Sequence, residues 1–118
     1  MTQEDKELLL KDLCARLPYG VKIQVPYEDG SGYFDETVWE VNNEGPFHVN
    51  GWGIEYEYVK PYLFPLSSIT KKTLEELSAY IDIKNAYVAV DFFNSHHIDY
   101  RGLIEKGLAI DATGLGIY

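Results

Sequence analysis

The sequence predicts an α+β fold for residues 1–118: a single domain with an antiparallel sheet of three to five strands and N-terminal and C-terminal helices packed on it. Two observations predict this class. Apolar residues recur at helical spacing near both ends of the chain, whereas short segments of alternating polarity, separated by turn residues, fill residues 21–59. A length of 118 residues suits one domain with a self-sufficient core.

The N-terminal helix is predicted over residues 2–17. Thr2 can cap it, with Asp5 three positions further on in the spacing of a capping box. Pro18 and Gly20 then end the helix. We expect an apolar stripe to face the sheet, consisting of Leu9, Leu10, Leu13 and Leu17.

The strands are predicted in the region that follows this helix. Residues 21–25 and 54–59 alternate with period two, residues 33–41 form a strand between them, and residues 47–49 form a shorter one. Turn residues separate the strands at positions 28–32 and 42–46. In the strand over 33–41 we expect Tyr33, Thr37, Trp39 and Val41 on one face and Glu36 and Glu40 on the other.

The second half of the chain gives less uniform patterns. Pro61 and Pro65 bracket three apolar residues, which predicts a crossing segment rather than a central strand. A second helix is predicted from Lys71 to about Ile81. Residues 86–97 suit a buried strand or a helix, and the helical spacing of their apolar residues favours the helix. Residues 103–110 suit a short final helix or a returning strand.

Composition disfavours several classes of partner. The net charge is −9, from 10 basic and 19 acidic residues, so ordinary nucleic-acid binding is unfavourable, as is binding to an anionic membrane. The polar, acidic start lacks the features of a signal peptide, and no apolar run is long enough to span a bilayer. The single cysteine, Cys14, suits a reducing compartment. We therefore expect a cytoplasmic protein without cofactors.

The middle of the chain is acidic and aromatic. From Ile23 to Val59 there is no lysine or arginine, while glutamates, aspartates, tyrosines and tryptophans are frequent. The plainer interpretation is an antiparallel sheet with a solvated acidic face and an aromatic core face. The functional interpretation is a negative surface that binds a protein partner with a basic surface. Its candidate binding residues are Trp39, Glu40, Glu44, Glu55 and Glu57.

A second candidate region concentrates titratable groups near the C-terminal end. Its functional or structural residues are His96, His97, Asp99, Tyr100 and Arg101. The favoured interpretation is a structural network, in which Arg101 pairs with Asp99 or Glu105 and the histidines bind backbone where a helix ends. Such a network would fix this segment onto the sheet. We therefore assign no catalytic residue and no metal ligand.

Two chemical alternatives for the same region stay open. Adjacent histidines point apart on a helix or strand and do not share one ion, but a site using His97, Asp99 and the remote His48 is compatible with the sequence. Asp99 could instead orient an imidazole for acid–base catalysis, with Cys14 or a serine as nucleophile. The position of Cys14 beside Leu13 predicts a buried thiol rather than a reactive one.

Three stretches resemble a known family. They are EYVKPYL at 57–63, PLSSIT at 65–70 and, most specifically, DFFNSHHIDYRGLIEKGLAI at 91–110. Together they make up 33 of the 118 residues, just over a quarter of the chain. They are similar to a family of small uncharacterised bacterial proteins found largely in phage-like and mobile-element settings. That family usually has phenylalanine at the position of Ile98. The resemblance implies helix for residues 91–96 and a soluble intracellular protein of prophage or conjugative-element origin, and it carries over no catalytic residues.

The leading hypothesis is therefore a non-enzymatic accessory protein that binds a partner through the acidic, aromatic region. One alternative is an inhibitor that imitates the charge of DNA and occupies a nucleic-acid-binding protein. Another is a small metal-dependent or acid–base enzyme using His97, Asp99 and Arg101.

Overall fold

The computed structural model describes residues 2–27, 29–38, 40–41, 46–47, 59–68, 75 and 86–118. Helices and a sheet are both present, so the predicted α+β class is confirmed. In chain order the described elements are α1 (Gln3–Arg16), β1 (Lys22–Pro26), β2 (Tyr33–Thr37), β3 (Glu40–Val41), β4 (Pro46–Phe47), β5 (Lys60–Pro65), α2 (Ala86–Ser95), β6 (Ile98–Asp99) and β7 (Ile110–Asp111), with 3₁₀ turns at Leu17–Tyr19 and Leu66–Ser68.

The N-terminal helix α1 begins and ends as the sequence predicts. The Thr2 hydroxyl accepts a hydrogen bond from the Asp5 backbone N–H at 3.1 Å, which satisfies one of the free amides of the first turn. At the other end Gly20 has a φ of 68°, and its N–H donates to the Leu17 carbonyl. This left-handed conformation favours glycine, so Gly20 lets the chain turn directly into β1.

The main sheet is mixed rather than purely antiparallel. Its strand order is β2-β1-β5-β6, with β7 also paired to β5. The pairs β1–β2 and β1–β5 are antiparallel, whereas β6 and β7 each add a two-residue parallel pairing to β5. Strands β3 and β4 pair with each other in a separate two-stranded sheet.

One face of the sheet packs against α1 and forms the core. Leu9 and Leu13 of α1 are fully buried, as is Ile23 on β1. Burying each such aliphatic side chain stabilises the fold by roughly 1.5–3 kcal/mol. The buried cluster consists of Leu9, Leu13, Val21, Ile23, Val25, Val38, Val59, Leu63, Leu103, Leu108 and Ala109.

The sequence correctly separates Glu36 from Tyr33 and Thr37 on the two faces of β2, but the face with Tyr33 and Thr37 is not a core face. Both are exposed, Tyr33 to 63%, whereas Phe34 is half-buried and packs on the core. The register explains this, because Phe34 lies opposite the buried Val25 and directly paired residues share a face. The strand also ends at Thr37, and Glu40–Val41 belongs to the separate β3–β4 pair.

Residues 61–65 are a central strand, so the predicted crossing segment is wrong. β5 contacts three neighbouring strands, and Tyr62 and Leu63 are buried in it. The two prolines occupy the second and last positions of the strand. The interior groups between them can therefore pair: the Phe64 N–H donates to the His97 carbonyl, and the Leu63 carbonyl accepts from the Ala112 N–H, each at 2.8 Å.

The helical interpretation of residues 86–97 is confirmed by α2, which ends at Ser95. Residues 103–109 form turns that lead into β7 at Ile110–Asp111. The predicted returning strand is therefore confirmed only at its end, and the alternative of a final helix is wrong. Glu75 is helical, and the other residues of the helix predicted over 71–81 lie outside the described ones. Most of the strand predicted over 54–59, and residues 48–49 of the shorter predicted strand, also lie outside the described residues. Within the described part of the chain, no helix has the length and apolar character needed to cross a bilayer.

Candidate functional site

The two predicted candidate regions are described to different extents. Trp39, Glu44, Glu55 and Glu57 of the acidic, aromatic region lie outside the described residues, and for Glu40 only the backbone is described, in β3. All of the C-terminal candidates are described: His96, His97, Asp99, Tyr100 and Arg101. The geometry of the site is therefore built from the segment 96–101.

The two histidines lie where α2 ends. The His96 Nδ1 is 2.9 Å from the Phe92 carbonyl oxygen, and the His96 ring stacks on Phe92 with centroids 4.2 Å apart. His97 follows with a φ of 57°, a left-handed conformation that histidine adopts more readily than most residues. This turn redirects the chain from α2 into β6. The predicted backbone bond is present for His96 and ties its ring to the helix end.

Asp99 organises the turn that follows β6. It is 5% exposed, and its two carboxylate oxygens accept hydrogen bonds from the Leu103 and Ile104 amides, both at 2.9 Å. Because a buried carboxylate needs partners for its charge, these two amides account for why the aspartate is tolerated there. Gly102, with a φ of 74°, lets the chain fold back so that both amides point at the carboxylate.

Arg101 pairs with Asp12 of α1, not with Asp99 or Glu105 as predicted. Its guanidinium lies 3.1 Å from one Asp12 oxygen. The Arg16 Nε donates to the other Asp12 oxygen at 2.8 Å, and Arg16 Nη2 donates to the Ile98 carbonyl at 2.6 Å. Asp12 and Arg16 are fully buried. One carboxylate thus holds two arginines and links α1 to β6.

Burial is the main influence on the pKa of Asp12. Burial raises the pKa of Asp12 above its ordinary value, although Arg16 and Arg101 both act to lower it. The Tyr100 ring lies beside both guanidinium groups, with centroid distances of 5.4 Å to Arg16 and 4.6 Å to Arg101. The two arginines therefore contact the same carboxylate and the same aromatic ring.

Part of this network carried a sequence signal. Asp12 and Arg16 are four residues apart, the spacing of a helical ion pair, and Arg16 lies three positions after the buried Leu13. Oppositely charged residues that lie on the same side of a helix as its apolar stripe indicate a buried ion pair. The prediction for Cys14 is wrong, since its thiol is exposed. It lies one position after Leu13, about 100° around the helix from the buried stripe.

His97 is held in a second set of contacts. Its ring stacks on Tyr118 with centroids 3.7 Å apart and planes at 10°. The Tyr118 hydroxyl donates to the Tyr62 carbonyl at 2.8 Å and accepts from the Lys22 amide at 2.9 Å. Burial, with the nearby charges of Arg16, His96 and Lys22, lowers the pKa of His97 to about 4. The imidazole is therefore neutral at ordinary pH.

This arrangement differs from an acid–base or metal site. The described Asp99 contacts are with backbone amides, so this carboxylate does not orient either imidazole. Among the described residues, no group of three or more histidine, cysteine, aspartate or glutamate side chains could hold a metal ion. His48 lies outside the described residues. Asp99 instead binds the backbone of the turn after β6, and Arg101 binds Asp12 of α1.

Comparison of the chain with family models, with curated proteins and with solved structures found no match. The resemblance of residues 91–110 to a mobile-element family stays a prediction. The interpretation of the site therefore rests on its geometry.

We predict that Asp12→Ala destabilises the protein strongly. Removing one member of a buried ion pair leaves the other charge without compensation, which typically costs about 3–5 kcal/mol. Urea unfolding monitored by circular dichroism measures the change. The exposed Asp91 is the matched control, and Asp91→Ala should change the free energy of unfolding by less than about 0.5 kcal/mol. Equal, small effects of both substitutions would refute the role assigned to Asp12.

We also predict that His97 makes the protein less stable as the pH falls from 6.5 to 4. In this window the unfolded histidine, with its ordinary pKa of 6.5, binds a proton that the folded one, with a pKa of about 4, does not. The contribution of His97 to stability is thus fully present above pH 6.5, and its loss amounts to at most about 3 kcal/mol. Urea titrations across the window should show a shallower loss of stability in His97→Asn, because asparagine does not bind a proton in this pH range. Asparagine is chosen because it tolerates the same backbone conformation. Parallel curves for the two proteins would contradict this.

Proposed function

We propose that the protein is a non-enzymatic protein-interaction module. One observation carries this proposal: the titratable groups that made catalysis a credible alternative serve structural contacts. Asp99 accepts from two backbone amides, and Arg101 pairs with Asp12 of α1. A catalytic acid or base needs its titrating atom within reach of substrate. The enzyme alternative based on His97, Asp99 and Arg101 has no described contact that favours it.

The proposed binding region is the acidic, aromatic middle of the chain. Its residues Trp39, Glu40, Glu44, Glu55 and Glu57 lie in a stretch without lysine or arginine, in a chain of net charge −9. Such a charge excess attracts a partner with a basic surface and speeds the encounter with it. Tyrosine and tryptophan supply large contact areas at interfaces.

The β1–β2 hairpin adds described residues of the same kind. Tyr27 and Tyr33, at the two ends of its turn, are 48% and 63% exposed. Asp29 and Asp35 are exposed near them. Exposed tyrosines combined with carboxylates match the composition expected for a surface that contacts a basic protein.

The proposed setting follows from the resemblance and from the cysteine. We place the protein in the cytoplasm of a bacterium, as an accessory of prophage or mobile-element origin. Cys14 is exposed and unpaired, which suits a reducing compartment. In such a setting the basic partner could be a nucleic-acid-binding protein whose binding groove this chain occupies, and competition with DNA distinguishes that case.

The test is a capture experiment with charge-matched variants. We predict that changing Glu40, Glu44, Glu55 and Glu57 together to glutamine weakens binding of a captured partner by about tenfold or more, a loss of at least about 1.4 kcal/mol. The control changes the same number of exposed glutamates elsewhere, namely Glu4, Glu7, Glu75 and Glu105. Both variants must keep the wild-type circular dichroism spectrum.

The readout is quantitative mass spectrometry of proteins captured from lysate, followed by an affinity measurement on the purified partner. The proposal requires that the control binds as wild type does and that higher salt weakens the interaction. Equal binding by both variants would contradict the assigned surface. If DNA displaces the partner competitively, the partner is a nucleic-acid-binding protein.

A further inference from the structure

Strand β2 forms an edge of the main sheet. Within the described residues its one neighbour is β1, and β3 and β4 pair with each other instead of with β2. An edge strand carries a row of backbone N–H and C=O groups on the side that faces away from its neighbour. Those groups can form hydrogen bonds with a strand from another chain.

The register shows which residues of β2 carry these outward groups. At one end of the β1–β2 pair, the Val38 amide donates to the Val21 carbonyl at 2.9 Å. At the other end, the Tyr27 amide donates to the Gly32 carbonyl at 2.9 Å. Hydrogen-bonded and non-hydrogen-bonded pairs alternate along an antiparallel ladder, so every second residue between these ends turns its backbone groups away from β1. We call these residues the outer edge of β2; they are Tyr33, Asp35 and Thr37.

The partners of the outer edge on β1 agree with this assignment. Lys22, which pairs with Thr37, donates its amide to the Tyr118 hydroxyl at 2.9 Å and not to β2. Pro26, which pairs with Tyr33, has no amide hydrogen to donate. Thr37 and Tyr33 therefore keep their own amides and carbonyls on the side away from β1.

The side chains of the outer edge are accessible. Tyr33 is 63% exposed, and Asp35 and Thr37 are exposed as well. An added strand lies about 4.8 Å from the strand that it joins, so its side chains would contact this row directly. The exposure of all three residues shows that the described part of the chain leaves this edge open.

Charge selects the kind of strand that fits. From Ile23 to Val59 the chain contains no lysine or arginine. Asp35 lies on the outer edge, where its carboxylate is held by a hydrogen bond from the Tyr62 hydroxyl of β5, and Glu36 is next to it in β2. Basic side chains of an added strand would lie beside these carboxylates, and the exposed ring of Tyr33 offers a cation–π contact.

The same charges disfavour a second copy of this chain as the occupant. Antiparallel pairing of two β2 strands centred on Asp35 would place this aspartate opposite its own copy, and like charges directly opposite each other are destabilising. The net charge of −9 adds repulsion between the copies. The occupant that fits is therefore a positively charged segment of a different protein.

We propose that the outer edge of β2 binds an extended, lysine- or arginine-rich segment of the partner protein, which adds a strand to the main sheet. Backbone hydrogen bonds to the three outer-edge residues hold the segment, and the carboxylates of Asp35 and Glu36 select its basic side chains. This inference rests on the proposed function, because it specifies how the basic partner binds.

The test uses a capped, fluorescent peptide of alternating lysine and valine, slightly longer than β2, whose binding is measured by fluorescence anisotropy. Two further peptides of the same charge carry N-methyl groups on either the lysine amides or the valine amides, which lie on opposite edges of an extended strand. We expect saturable binding of the unmodified peptide. One of the two methylated peptides should bind about tenfold more weakly or worse, because its backbone hydrogen bonds to β2 are lost, and the other should bind as the unmodified peptide does.

Thr37→Pro tests the same hydrogen bonds from the side of the protein. Proline removes the outward amide of Thr37 and is tolerated on an edge strand, so the circular dichroism spectrum should be that of wild type. Peptide binding should weaken about fivefold, the usual effect of losing one hydrogen bond. Thr37→Val is the matched control, because it keeps the amide, and it should bind the peptide as wild type does.

Equal binding of the two methylated peptides would overturn the inference, since charge alone would then account for binding, and non-saturable binding of the unmodified peptide would overturn it too. Competition with the captured partner separates this inference from the proposed function. Displacement of the partner by the unmodified peptide supports the inference. A partner that depends on the four glutamates but is not displaced by the peptide leaves the proposed function standing and overturns the inference.

Discussion

The buried carboxylate of Asp12 is the constraint on which the rest of this structure depends. An aspartate and an arginine that are both fully removed from water are costly unless each finds partners of opposite charge. Asp12 resolves this by binding Arg16 within α1 and Arg101 from the distant C-terminal segment. Because the buried charges must be paired, the C-terminal segment takes one position against α1. Packing of apolar side chains alone would define that position less narrowly.

From this pair the order of the C-terminal segment follows. Arg16 also binds the Ile98 carbonyl, which holds β6 beside α1 while β6 pairs in parallel with β5. Asp99 then fixes the next turn through two backbone amides. Residues that would be acids and bases in an enzyme here connect helix, strand and turn. These structural contacts explain why the segment contains so many charged residues. The proposed functional surface is therefore the acidic, aromatic middle of the chain.

Local physics made part of this fold predictable. The cap at Thr2, the stripe through Leu9 and Leu13, and the alternation in β1 depend on residues close in sequence, and each was predicted correctly. The central position of β5 could not be predicted in this way, because its two prolines are unfavourable in a central strand. Only the positions of β6 and β7 show that the residues between the prolines form the pairing hydrogen bonds.

The missed features depend on distant residues. Asp12 and Arg101 are 89 positions apart, so spacing along the chain does not reveal their contact. Neighbouring aromatic residues at 33 and 34 left the inward face ambiguous, since a shift of one residue exchanges the two faces of a strand. Of the candidate site, the position of the titratable cluster was predictable, but the partners of its arginine and aspartate were not.

Native-state hydrogen exchange tests most directly whether the Asp12–Arg101 contact orders the C-terminal segment. The measurement compares wild type with Arg101→Leu at the Leu103 and Ile104 amides, which Asp99 binds, and uses the Val38 amide, bonded to the Val21 carbonyl, as reference. If the ion pair orders the segment, exchange at Leu103 and Ile104 becomes about tenfold faster in the variant, relative to Val38. Unchanged relative rates would show that the segment is ordered without the ion pair, which contradicts the role assigned to Asp12.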